Sequence, residues 1–173
     1  SSGELTDSLI QELPDSLKFE TKNGRIVYGG GGITPDIYVP LDTSFTTEFY
    51  AQTLRKGLIN KFTLSYVNQN RKALVEYYPN VETFDQTFMA DEEFLAEFLE
   101  YCAKEEIDID KDQVAKSSKV LGLQLKGLIA RNLFSGEAYY YVVNKEMNQS
   151  FITAVEAIEN NWFKNYNITW TKK

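Results

Sequence analysis

The sequence predicts an α+β chain that is mostly α: an N-terminal β-hairpin and a Gly-rich loop, followed by a helical, bundle-like domain. Three observations carry this. Residues 17–28 set Asn23-Gly24 between two short runs rich in β-branched and aromatic residues, the pattern of a hairpin. From Ser44 onward the apolar residues recur at intervals of three and four, the period of a helix face. Apolar residues make up 43% of 173 positions, enough to bury one sizeable core. The division falls at residue 43, with a short helix, hairpin, loop and strand in 1–43 and a helical domain in 44–173.

The first element is a short helix over 4–13, where Leu5, Leu9, Ile10 and Leu13 share a face and Pro14 stops it. In the hairpin, Asn23-Gly24 favours the positive φ angles of a two-residue type I′ turn. Gly29 to Gly32 then lack Cβ atoms and let the backbone turn sharply or approach a neighbour closely. Pro35 ends that freedom, and Ile37-Tyr38-Val39 resumes extended structure. The text downstream contains no other convincing strand, and an isolated hairpin is marginal in water. The hairpin is therefore expected to join a sheet whose other strands lie outside this sequence, or to pair with a second copy.

In the helical part, Tyr50, Leu54 and Leu58 form one stripe. Phe62, Tyr66, Ala73, Leu74 and Tyr77 form another as far as Pro79, with Gly57 as the break or kink between them. A helix over 91–104 has Asp91 at its N-cap and Phe94, Leu95, Phe98, Leu99 and Cys102 on one face. The next begins near Asp110, where Asp110 and Gln113 have capping-box spacing, and runs through Val114, Leu121, Leu125, Leu128 and Ile129 to about Phe134. Tyr139 to Val143 has strand-like residues, but its flanks favour helix. Phe151, Val155, Ile158 and Trp162 mark the last helix, after which 165–173 frays or lies across the surface.

The string GRIVYGGGGITPDIYVP at 24–40, preceded by Phe19 and Thr21, resembles the segment that closes the protease core of C-terminal processing peptidases, the tail-specific serine peptidases of the S41 class. Phe49-Tyr50, Gly57-Leu58-Ile59, Tyr66, Asn70-Arg71 and the pair Phe84 and Phe88 are similar to the helical C-terminal extension of the Bacteroides-like bacterial type. The resemblance implies that this is the C-terminal, non-catalytic region of a serine endopeptidase that cuts protein substrates near their C-termini. The nucleophilic serine, its lysine base and a PDZ-like domain would lie upstream in the same parent chain. The region itself would carry no catalytic, cofactor-binding or metal-binding residue and would be inactive alone. Its structural motif is Gly24, Arg25, Gly29, Gly30, Gly31, Gly32, Pro35 and Asp36. Its partners would be the upstream core and peptide or protein substrates, and its location the periplasm or cell envelope. The alternative is a non-enzymatic helical interaction module that forms a homodimer through its glycine segment.

Charge narrows the field further. A net charge of −7, from 25 acidic and 18 basic residues spread along the chain, argues against a nucleic-acid partner, which needs Lys and Arg gathered on one face. The absence of histidine excludes a Ser-His-Asp triad. Asp108, Asp110 and Asp112 have the first three ligand positions of an EF-hand loop, but Gln113 stands where glycine is needed and Lys119 where the bidentate glutamate belongs, so they read as a solvated helix start. Ser117-Ser118-Lys119 reads as an exposed helix face, because adjacent helical residues diverge and a serine–lysine pair needs the two to face each other. The four glycines lack the Gly-Lys-Ser/Thr of a phosphate loop. Asn148 and Asn167 fit the N-glycosylation pattern, which a bacterial resemblance discounts. The lone Cys102 reads as a small buried hydrophobe, and Tyr139 to Tyr141, Trp162 and Trp170 as core residues or an interface.

Overall fold

The computed structural model describes residues 15–22, 24, 26–29 and 37–164. Contacts divide the chain into two compact units, Leu41–Phe151 and Ser1–Pro40 with Ile152–Lys173. The expected helix over 4–13 and the tail over 165–173 lie outside the described residues, as do Arg25, Gly30, Gly31, Gly32, Pro35 and Asp36.

Among the described residues the fold is α+β and mostly α, with one antiparallel hairpin and seven α-helices. The hairpin pairs β1 (Lys18–Glu20) with β2 (Ile26–Tyr28), Lys18 opposite Tyr28 and Glu20 opposite Ile26. This register puts an odd number of residues between Glu20 and Ile26, so the expected two-residue type I′ turn does not fit. Instead the Gly24 N–H donates to the Thr21 carbonyl at 2.9 Å and Gly24 sits at φ +76°, the placement of glycine at the end of a three-residue loop. Glycine is required either way, but for the left-handed position that ends the loop. The Gly29 N–H donates to the Leu17 carbonyl at 2.8 Å and carries the pairing one step beyond β2. The extended strand expected at Ile37 to Val39 does not form: residues 37–40 are a bend followed by irregular chain. Pro40 supplies no N–H, which leaves a segment this short poorly equipped to join a ladder.

The helices of the unit Leu41–Phe151 follow their caps. α1 (Glu48–Arg55) begins at Thr47, whose Oγ1 accepts the Tyr50 N–H at 3.1 Å. It ends before Gly57, which lies at φ +67° with open space where a Cβ would stand. That left-handed residue turns the expected kink into a full break, and α2 (Leu58–Tyr77) starts afresh. Leu54 is consequently exposed, while Leu58, the first residue of α2, is buried in the hydrophobic core. α3 (Val81–Thr87) was not evident from periodicity. Its signal is local, since Asn80 Oδ1 accepts the Thr83 N–H at 2.8 Å just after Pro79. α4 (Glu92–Lys104) is capped by Asp91, which accepts the Phe94 N–H at 2.9 Å. It closes with Ile107 N–H on the Cys102 carbonyl and Glu106 N–H on the Ala103 carbonyl, both at 3.1 Å, and with Glu106 at φ +58°. This is a Schellman closure with glutamate at the position that favours glycine.

α5 (Lys111–Leu133) is the centre. It packs against α6 (Gly136–Met147), α2 and α1. Val120, Leu121, Leu123, Leu125, Leu128, Ile129 and Ala130 are all buried, and a helix that is apolar around most of its circumference has to be enclosed. Gly127 makes the enclosure close: a Cβ there would lie 2.6 Å from Val143 Cγ2 and 3.0 Å from Tyr139 Cδ2. Around this axis Phe62, Phe94 and Phe98 meet edge to face, and Phe84 stacks on Phe88 at 4.7 Å. The segment 139–143 is helical, as its flanks predict. α7 (Gln149–Glu159) buries none of its residues, and Phe151, Val155 and Ile158 are exposed on it.

Candidate functional site

The structural-motif glycines that are described do conformational work. Gly24 takes a positive φ. Gly29 lies under the Phe19 ring, where a Cβ would stand 2.6 Å from Cε2. Phe19 is 58% and Ile26 51% exposed, so the hairpin presents apolar side chains to solvent.

The serines beside Lys119 differ from the expected exposed face. Ser117 is fully buried, donates to the Gln113 carbonyl at 2.8 Å and accepts from Thr47 Oγ1 at 3.4 Å. It is a latch between α5 and the start of α1. Ser118 donates to the Ala115 carbonyl at 2.9 Å, and Lys119 is exposed. Asp110 Oδ1 accepts the Gln113 N–H at 2.9 Å as an N-cap, with Asp108 and Asp112 exposed. The reciprocal arm of the expected capping box is redirected: Gln113 Oε1 accepts the Phe49 N–H at 2.8 Å and caps α1 instead. Asn148 is a cap as well, accepting the Phe151 N–H at 3.1 Å. Cys102 is buried, and burial, followed by the nearby Glu105 charge, pushes its thiol up to about 12. Among the described residues no group of three or more acidic or cysteine side chains is arranged to hold a metal ion.

Two features of the helical unit have chemistry beyond packing. In the first, Asp85 on α3 accepts Lys126 Nζ at 3.2 Å on Oδ1 and Lys145 Nζ at 3.2 Å on Oδ2. Lys126 also donates to the Asp85 carbonyl at 2.5 Å, and Lys145 lies 3.6 Å above the Tyr141 ring. Burial alone would lower the Lys145 pKa, but the bonds and charges of Tyr141 and Asp85 raise it above the ordinary value. This clamp ties α3 to α5 and α6.

The second is an open cleft of about 620 Å³ between α2, α5 and α6. Gln124, Leu128 and Arg131 reach it from one face of α5, being spaced i, i+4 and i+7. Asn60 of α2 stands opposite, and Tyr139 and Tyr140 of α6 form an aromatic wall. Arg131 Nη2 donates to Asn60 Oδ1 at 3.2 Å, and the Tyr139 hydroxyl donates to Gln124 Oε1 at 3.4 Å. Burial raises the Tyr139 pKa, Tyr140 adds to this, and Arg131 with Gln124 offsets part of it, so the phenol stays protonated at neutral pH. The aromatic residues of 139–141 were visible as a cluster in the sequence. The rest of the cleft was not, because Arg131 and Asn60 stand 71 positions apart and only the α2–α5 packing brings them together.

Residues 49–136 match the profile of a family of unknown function, DUF8443. No curated protein and no solved structure matches the chain. Among the described residues no helix is long and apolar enough to cross a membrane.

Proposed function

We propose, for a chain that belongs to the DUF8443 family of unknown function, that it serves as the non-catalytic C-terminal region of a serine endopeptidase of the C-terminal processing type. The observation that carries this reading is the hairpin. Two three-residue strands with Phe19 and Ile26 more than half exposed make a fragment of a sheet rather than a sheet. The string at 24–40 supplies the resemblance to the segment that would complete a protease core. In this reading β1 and β2 add to strands of an upstream domain, and the helices shape or gate access to a site formed by the serine and lysine of that domain. Peptide or protein substrates, an upstream PDZ-like domain and a periplasmic or envelope location follow from the same resemblance. A second reading, a non-enzymatic interaction or dimerisation module, is favoured by the exposed row Phe151, Val155 and Ile158 on α7.

The test is immunoprecipitation from fractionated source cells with an antibody raised against this chain, followed by incubation of the precipitate with a reporter protein that ends in an unstructured tail. A band well above 19.9 kDa in the envelope fraction, with loss of the reporter's tail, is the expected result. A band only at the chain's own mass and an intact reporter would overturn the peptidase reading. Sedimentation of the purified chain as a dimer would then favour the interaction module.

A further inference from the structure

The cleft between α2, α5 and α6 gathers side-chain N–H donors around the Arg131 guanidinium. Each of its two amide side chains turns its oxygen to a neighbour. Asn60 Oδ1 receives Arg131, and Gln124 Oε1 receives the Tyr139 hydroxyl. The NH₂ groups of Asn60 and Gln124 and the rest of the Arg131 guanidinium, which forms no ion pair with a described carboxylate, remain free as donors. The one acidic side chain lining the cleft, Glu137, accepts the Ser135 hydroxyl on Oε2 at 2.9 Å. Beside these donors the walls are apolar, with Leu128 buried beneath and Tyr140 62% exposed at the mouth. The cleft volume of about 620 Å³ lies within the range that encloses small ligands.

We propose that this cleft binds a carboxylate carried next to an aromatic or large apolar group, with the carboxylate on Arg131, Asn60 and Gln124 and the apolar group against Leu128, Tyr139 and Tyr140. An ionised carboxylate only accepts hydrogen bonds, which suits the free donors of Arg131, Asn60 and Gln124, and arginine receives it through two parallel N–H groups. Neutral amides and alcohols lack the negative charge that the Arg131 guanidinium, without an ion pair to a described carboxylate, can receive. The chemistry is shared by a peptide C-terminus that ends in an aromatic residue and by a free aromatic acid.

The experiment is a ¹H–¹⁵N NMR titration of the 173-residue chain with four probes: N-acetylphenylalanine, its carboxamide, and a ten-residue peptide ending in phenylalanine with either a free or an amidated C-terminus. Both acids are expected to shift the side-chain NH₂ signals of Asn60 and Gln124, and both amides to bind at least about tenfold more weakly. Tighter binding of the peptide acid than of N-acetylphenylalanine identifies a chain terminus as the source, and equal binding identifies a free acid. Arg131→Gln should lower affinity for the acids by about tenfold or more. Asn60→Asp, which places a competing carboxylate on Arg131 at an exposed position, should do the same without unfolding the chain. Equal binding of acid and amide, unchanged affinity in Asn60→Asp, or no saturable shift up to about 10 mM probe would overturn the proposal.

Discussion

Replacing Gly127 by alanine tests how closely α5 and α6 must approach. In an isolated helix the change should help, because glycine in a helix interior is about 1 kcal/mol less favourable than alanine. Here the new methyl would stand 2.6 Å from Val143 Cγ2 and 3.0 Å from Tyr139 Cδ2. Val143 is 7% exposed and β-branched, with one favoured rotamer in a helix, so it cannot swing aside. Overpacking of this kind costs about 1–3 kcal/mol, which outweighs the helical gain and leaves a net loss of about 1 kcal/mol. For a chain of this size that loss lowers the thermal midpoint by about 2–4 °C. Circular dichroism during heating and during urea titration would measure it. The same substitution in a Val143→Ala background removes the closest contact, leaves the 3.0 Å approach to Tyr139, and should cost less there than in the wild type. If Gly127→Ala matched or exceeded the wild type, or cost the same in both backgrounds, the close approach would not be what requires glycine at 127.

Three further outcomes follow from the same geometry. Glu106→Gly should raise stability by about 1 kcal/mol in urea titration, because it relieves a left-handed residue while keeping both Schellman hydrogen bonds. Asp91→Ala should lower it by about 1 kcal/mol by leaving the first turn of α4 without its cap, whereas Asp91→Asn should be nearly neutral. Cys102 gives a pH dependence of known sign. Its thiol rises from 9.0 to about 12 on folding, so the native state holds more protons than the unfolded state in that window. The stability it contributes is complete below pH 9 and is lost as pH rises from 9 toward 12. The stability difference between wild type and Cys102→Ala should accordingly shrink from pH 8 to pH 11. A constant difference would place the thiol in a better-solvated site than the fold indicates.

What the sequence made legible is what depends on near neighbours. Asp91 and Asp110 cap helices because their side chains reach N–H groups three residues ahead, and Gly57 breaks the chain because it alone pays little for a left-handed φ. Periodicity placed the core residues Phe94, Phe98 and Cys102 on one side of α4. Where a side chain had a distant partner, local rules misled. Gln113 has the spacing of a capping box, but its amide serves another helix, and Ser117 sits in a polar stretch yet is sealed beneath Thr47. The hairpin was recognisable while its turn was not, since Asn23-Gly24 satisfies more than one turn type and only the register decides. The cleft escaped sequence reading for a different reason. Asn60 and Arg131 carry no motif, and their meaning comes from facing one another.

The bond from the Phe49 N–H to Gln113 also bears on how the chain folds during synthesis. α1 has eight residues, too few to hold itself helical in water, and part of its first turn is capped from 64 positions further along the chain. At about 5–20 residues per second, a ribosome would take roughly 3–13 s to deliver that glutamine after Phe49. During this interval Thr47 alone caps α1, and the Phe49 N–H stays with water. The Phe49 N–H therefore gains its cap only when α5 docks, so the earliest helix of the unit Leu41–Phe151 to be made is not the first to have its caps complete.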